Sequence, residues 1–308
     1  MPLNYYECFG VSPGSPLLGA AMHSKECPFV GGACTKAFRN GVISGACTLV
    51  NPSNGIPVPC CPKRLYGDEY RVLSDVVKTA WGEGIPLVLQ DTTVPVSGGF
   101  VIPFGQKQGQ EVRIAHKDLK GSSKFSIDWI LAKVDADRNL EGFVAVEVQT
   151  IDTTGNYQNQ FLDLAEQYDP AATKGMERPK KSSGNFNFEN VNKRILPQLI
   201  TKGHVLRREP LCTKGLFFIC PTVVHERILS RVGKLDDYPI QSGTVTFLSY
   251  SVDEDSENEP KSLKLDHTTT TTTDQLSLAF SSPKHLPPQG VYGDAIRKAL
   301  RKRFEHSR

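Results

Sequence analysis

The chain's strongest constraint is its cysteine placement: five of the eight cysteines fall between positions 27 and 61, inside a segment dominated by Gly, Pro and Ser. That segment, residues 4–64, holds one sustained apolar run, residues 42–50. A stretch of this size and composition cannot bury a large core, so it needs a staple. The first thirty residues lack a basic segment followed by an unbroken apolar run, so no signal peptide is expected. A reducing, cytoplasmic compartment is therefore expected. There, clustered thiols mean metal or chemistry rather than a disulfide scaffold. A membrane helix needs roughly 20 apolar residues. The longest candidates, 42–50 and 216–224, fall short of that, so a soluble chain with no membrane partner is expected.

Cys27, Cys34, Cys47 and Cys61 are separated by 6, 12 and 13 residues. Four thiolates can close a tetrahedral site for zinc or iron, both suited by soft ligands. None of the four forms a CxxC knuckle, so the spacing matches no common zinc finger, and four ordinary buried cysteines are the plainer alternative. Cys8, Cys60, Cys212 and Cys220 read as packing residues, Cys220 within the apolar run 216–220.

The texture changes after residue 67, which suggests two domains, 1–67 and 68–308. Val72, Leu73, Val76, Val77 and Ala80 recur at helical spacing and predict a helix over 68–81, ended by Gly82 and Gly84. Strands are expected at 86–90, 124–131, 143–151 and 215–219, with a helix over 187–204 interrupted near Pro197. The acidic run 253–259 and the threonine run 268–273 read as solvated loops, and 292–305 as a basic amphipathic helix.

The strand at 143–151 is almost continuously apolar, so it should be buried and central. Its period of two places Ala145, Glu147 and Gln149 on one face and Val144, Val146 and Val148 on the other. With Asp128 about twenty residues upstream, the polar face offers two carboxylates and an amide, a hard-oxygen set suited to Mg²⁺. Such a set could serve phosphodiester hydrolysis, in the manner of PD-(D/E)xK nucleases. Gln149 stands where those carry lysine, and an amide brings neither a general acid nor a charge. On pattern alone the commoner reading is bland: a strand leaving the core, with Asp128 a surface acid. Against it stands the cost of burying an unpaired charge in so apolar a strand.

The net charge is +3, from 36 basic and 33 acidic residues, so a nucleic-acid partner would have to meet local basic surface. Lys180, Lys181, Lys193 and Arg194 provide one such patch, and Arg297, Lys298, Arg301, Lys302 and Arg303 another. A solvated face explains either equally well. The histidines show neither HxxH nor HExxH spacing, and no Gly-rich phosphate loop is present.

Several runs, taken in order, resemble the NotI family of type II restriction endonucleases. Four lie in the cysteine segment: Glu26-Cys-Pro-Phe29, Ala33-Cys-Thr-Lys-Ala37, Gly45-Ala-Cys-Thr-Leu-Val-Asn51 and Cys61-Pro-Lys-Arg-Leu65. Three more follow: Phe125-Ser-Ile-Asp-Trp-Ile-Leu-Ala-Lys-Val134, Gly142-Phe-Val-Ala-Val-Glu-Val-Gln-Thr-Ile-Asp152 and Asn190-Val-Asn-Lys-Arg194. The resemblance spans about residues 27–220.

It implies an α/β fold: a PD-(D/E)xK mixed sheet flanked by helices, preceded by a small domain holding structural iron, or zinc, through Cys27, Cys34, Cys47 and Cys61. It also implies Asp128 and Glu147 as catalytic Mg²⁺ ligands, with Gln149 beside them at a position where the family too carries Gln. The implied enzyme is a bacterial cytoplasmic homodimer that cuts double-stranded DNA at a GC-rich palindrome and leaves 5′-phosphates. A cognate DNA methyltransferase would share its site without having to bind the protein. Base-reading residues are sought first along 153–158, with Asn156, Tyr157 and Gln158 singled out, and along 178–192. The rival expectation is a non-catalytic DNA-binding or iron-holding Cys₄ protein.

Overall fold

A computed structural model of the chain describes residues 2–89, 98–105, 108, 126–181, 183–282 and 287–305. Six strands form the central sheet: β4 (Phe100–Phe104), β5 (Trp129–Val134), β6 (Leu140–Val148), β9 (Leu216–Pro221), β10 (Thr244–Val252) and β11 (Leu263–Thr272), in the order β11-β10-β9-β6-β5-β4. Strand β9 runs parallel to both β6 and β10, while the outer pairs are antiparallel, so the sheet is mixed. A smaller antiparallel sheet joins β1 (Asn4–Cys8), β2 (Ala46–Val50) and β3 (Pro57–Pro59), and a two-stranded ribbon pairs β7 (Thr153–Thr154) with β8 (Asn185–Phe186).

Helices cover both faces of the large sheet. On one, α2 (Gly67–Trp81) lays Val72, Leu73, Val76 and Val77 against Val144, Val146 and Val148 of β6 and their neighbours. On the other, α3 (Gln158–Tyr168), α4 (Leu196–Leu206), α5 (Thr222–Val232) and α6 (Thr273–Ser281) pack over Ala145, Leu216, Phe218 and Phe247. That second cluster also takes in Leu3, Tyr5, Leu18 and Leu49 from the N-terminal sheet and α1 (Leu18–Ser24). The N-terminal segment thus completes its burial against the large sheet, as its apolar content requires. Trp129 reinforces the junction by donating its indole N–H to the Tyr66 hydroxyl at 3.0 Å.

Strand β6 is central and buried, with the expected alternation: Val144, Val146 and Val148 in one cluster, Ala145 in the other. Several expectations need correction. The threonine run is no loop: residues 268–272 belong to β11 and pair with β10, and Thr273 opens α6. β-Branched side chains suit a pleated surface. Here the Thr246 and Thr270 hydroxyls also meet at 3.1 Å in the core.

The segment expected as a strand at 86–90 reduces, up to residue 89, to one parallel bridge, Leu87 to Val101, because Pro86 has no N–H to extend a ladder; Gln90 lies outside the described residues. Strand β5 begins only at Trp129, after Asp128, and Lys124 and Phe125 lie outside the described residues, as does Ser182. Pro197 does not interrupt a helix. It sits in the first turn of α4, where its missing N–H costs nothing, and the irregularity falls earlier, in a π-helical turn at Val191–Ile195. In α2, Asp68, Glu69 and Tyr70 have positive φ, so the regular helix starts after them. The acidic run 253–259 is a loop, and α7 (Val291–Glu305) forms as expected and buries none of its side chains. Among the described residues no helix is long and apolar enough to cross a membrane.

Candidate active site

The site is built by strand register. Antiparallel pairing of β5 with β6 sets Trp129 against Val146 and Ile130 against Ala145, so one residue further Asp128 stands across from Glu147. Asp128 closes the hairpin mouth by accepting the Val148 N–H at 2.9 Å. Glu147 points to the helix-covered face shared by Ala145 and is 3% exposed. Gln149 lies one residue past the strand, and its N–H still bonds the Ile219 carbonyl at 3.0 Å. The three residues singled out in the sequence are thus brought together at the ends of two adjacent central strands.

A fourth residue joins them that the sequence did not flag. Lys202 of α4 reaches Glu147 with Nζ 2.5 Å from Oε1, its side chain 15% exposed. Helix α4 comes this close because it packs on α6 at Gly203, where any Cβ would strike the Thr273 side chain. A helical wheel holds the missed signal: Lys202 follows Leu199 by three positions and precedes Leu206 by four, so it borders the buried face. Burial first, and then the Asp128 carboxylate, push Glu147 up to about 7, against the pull of Lys202.

Beside Gln149 lies a polar depression lined also by Asp152, Asn190 and Arg194. Asn190 donates to Asp152 at 2.6 Å, and Arg194 approaches the same carboxylate at 3.5 Å. Lys193 pairs with Glu189 at 3.7 Å, and Lys180, Lys181, Lys193 and Arg194 are all exposed. Asn156 and Gln158 are half-buried, the Asn156 side chain accepting the Gln158 N–H at 2.7 Å. Tyr157 must be withdrawn as a base reader: it is 5% exposed, its ring packed against Tyr5 and Phe38. An aromatic ring gains more from that core than a surface could return.

All eight cysteines are free thiols, six of them within residues 8–61. Cys27 and Cys34 flank a tight turn in which the Cys27 N–H bonds the Gly32 carbonyl, Cys47 lies in β2, and Cys61 precedes the 3₁₀ turn Pro62–Tyr66. Burial raises Cys34, Cys47 and Cys61. Cys61 raises both Cys34 and Cys47, and Cys27 raises Cys34 and Cys61. The Cys60 thiol instead faces the Ala46 and Cys47 carbonyls at 3.5 and 3.6 Å. Among the described residues no three His, Cys, Asp or Glu side chains stand in a ready-made metal cage. The thiol set suits a soft ion by its chemistry. The carboxylate pair suits Mg²⁺, which takes one or two carboxylates and fills its shell with water and substrate phosphate.

A search of curated proteins returns no match to the chain. The family profile described as restriction endonuclease NotI matches residues 18–263 of the 308, a span that holds the four cysteines, Asp128, Glu147, Gln149 and Lys202. By that match the chain belongs to the NotI restriction endonuclease family.

Proposed function

We propose that this DNA-cleaving hydrolase is a Mg²⁺-dependent type II restriction endonuclease of the bacterial cytoplasm, with a PD-(D/E)xK core, acting as a homodimer on a GC-rich palindrome. One observation supports it above the others: within a chain of this family, Asp128 and Glu147 stand across from each other at the ends of two adjacent strands, with Gln149 one residue past the second. Asp128 and Glu147 would hold the ion. Bound there, Mg²⁺ polarises a phosphoryl oxygen and acidifies a water. The Gln149 amide can orient that water or the scissile phosphate by donating from its nitrogen, and it moves no proton. Water attacks phosphorus, the bond to O3′ breaks, and a 5′-phosphate remains.

In this reading residues 68–308 cut and read DNA. Asn156, Gln158, Lys180, Lys181, Lys193 and Arg194 are the candidate contacts, and guanine N7 and O6 are the natural partners of arginine and lysine. Plasmid DNA should be cut in Mg²⁺ and untouched in EDTA, with ends mapping to one short palindrome. Binding without any hydrolysis in Mg²⁺ would overturn the proposal in favour of a non-catalytic DNA-binding protein.

Residues 1–67 would form a module stapled by structural iron or zinc on Cys27, Cys34, Cys47 and Cys61. Structural zinc contributes on the order of 10 kcal/mol in small peptides, and binding is coupled to folding. Cys34→Ser should therefore strip the metal, read by elemental analysis, and lower the unfolding midpoint sharply. A variant that keeps both removes Cys34 from the ligand set.

A further inference from the structure

We propose that Lys202 is a further catalytic residue: its ammonium supplies to the scissile phosphate the positive charge that Gln149 lacks, an inference that rests on the nuclease reading above. Phosphoryl transfer gathers negative charge on the phosphate oxygens as the attacking and leaving oxygens line up, and fixed cations aimed at that charge lower the barrier. The strand end offers two carboxylates and a neutral amide, which by themselves repel a phosphodiester. Lys202 reverses the balance. It arrives on a different element, α4, yet its Nζ lies 2.5 Å from Glu147 Oε1, at the carboxylate proposed to hold the ion.

The surroundings argue for more than a counter-ion. Burying a lysine against a glutamate is a weak source of stability, because desolvating both groups offsets most of their attraction. The Lys202 side chain keeps 15% exposure while Glu147 keeps 4%, so solvent reaches the pair along the lysine rather than along the glutamate. The depression beside Gln149 begins on the same helical stretch, at Arg194 in the π-helical turn that leads into α4. In the reaction Lys202 moves no proton. The water oxygen bonds to phosphorus, the phosphorus–O3′ bond breaks, solvent water takes the attacking water's proton and another solvent water protonates the leaving O3′ to a hydroxyl, and the ammonium balances the charge on the non-bridging oxygens.

Lys202→Met in the full-length protein tests this. Single-turnover cleavage at saturating Mg²⁺ should fall about 10²-fold, the scale of losing one fixed donor to transition-state charge, with DNA affinity changed far less. With Ca²⁺ in place of Mg²⁺, the slope of log affinity against log salt should flatten by about one, as for the loss of one phosphate contact. A mere counter-ion to Glu147 predicts otherwise, because a divalent ion on Glu147 would replace its charge: cleavage and salt slope would both match the parent, which overturns the proposal. Should the Met variant fail to fold by circular dichroism, Lys202→Gln, which keeps a donor to Glu147 without the charge, is read by the same two measures. If the parent protein itself never cuts, the nuclease reading falls and takes this inference with it. If the parent cuts and the variant cuts equally, only this inference falls.

Discussion

Asp128→Ala and Glu147→Gln are each expected to reduce Mg²⁺-dependent DNA cleavage on the order of 10³-fold or more, since groups that act as one unit lose nearly everything when one is removed. DNA binding without metal should not weaken, because each substitution removes a negative charge that repels phosphate. Gln is chosen at position 147 so that Lys202 keeps an acceptor in place of the carboxylate at 2.5 Å. Unimpaired cutting by either variant would sink the site assignment. Glu147→Gln should also change how stability depends on pH in EDTA. The folded carboxyl titrates at about 7, against 4.5 for the ordinary group. The native state therefore binds the extra proton between those values. Its stabilisation is complete below 4.5 and is lost as pH rises through 7, at most about 3 kcal/mol. Urea midpoints measured across that window should fall with rising pH in the parent and flatten in the variant.

Arg64→Met is expected to cost roughly 3–5 kcal/mol of folding stability, the penalty for stranding a buried charge. Glu7 and Arg64 are 0% and 1% exposed and meet in a fork, Nε to Oε2 at 2.6 Å and Nη2 to Oε1 at 3.0 Å. Thr48 donates to the same carboxylate, and so does the Lys261 N–H at 3.2 Å, while Arg64 also reaches the Lys261 carbonyl and lies over the Phe29 ring. One ion pair thus ties β1, β2, the cysteine turn and the loop between β10 and β11. The double variant Glu7→Gln/Arg64→Met should recover much of the loss, because a buried pair contributes little beyond cancelling its own desolvation. A single variant within 1 kcal/mol of the parent in urea denaturation would refute the tie.

Much of the fold was legible because hydrophobic period is local. The run 143–151 announced a buried central strand, and the stripe at Val72, Leu73, Val76 and Val77 announced α2. The threonine run misled because its hydroxyls look solvated in isolation. Its place was decided by β10, a partner outside the run. The candidate carboxylates stood out because Glu147 interrupts an apolar strand and Asp128 immediately precedes another. Lys202 did not, since one lysine at the margin of an amphipathic helix is ordinary and its meaning comes only from Glu147, 55 positions earlier. Tyr157 failed as a DNA contact for the same reason: its polar tip was visible in the sequence, its packing against Tyr5 and Phe38 was not.

The two halves of the site also differ in when they can assemble. The β5–β6 hairpin that pairs Asp128 with Glu147 closes a short connection, a cheap loop that contacts near in sequence form quickly. Lys202 comes within reach only when α4 docks and β9 lies between β6 and β10, pairings more distant in sequence than the β5–β6 hairpin. The acids are thus paired by a local connection, whereas Lys202 depends on the docking of a separate helix, so a change that loosens α4 would remove the cation while leaving the acids paired.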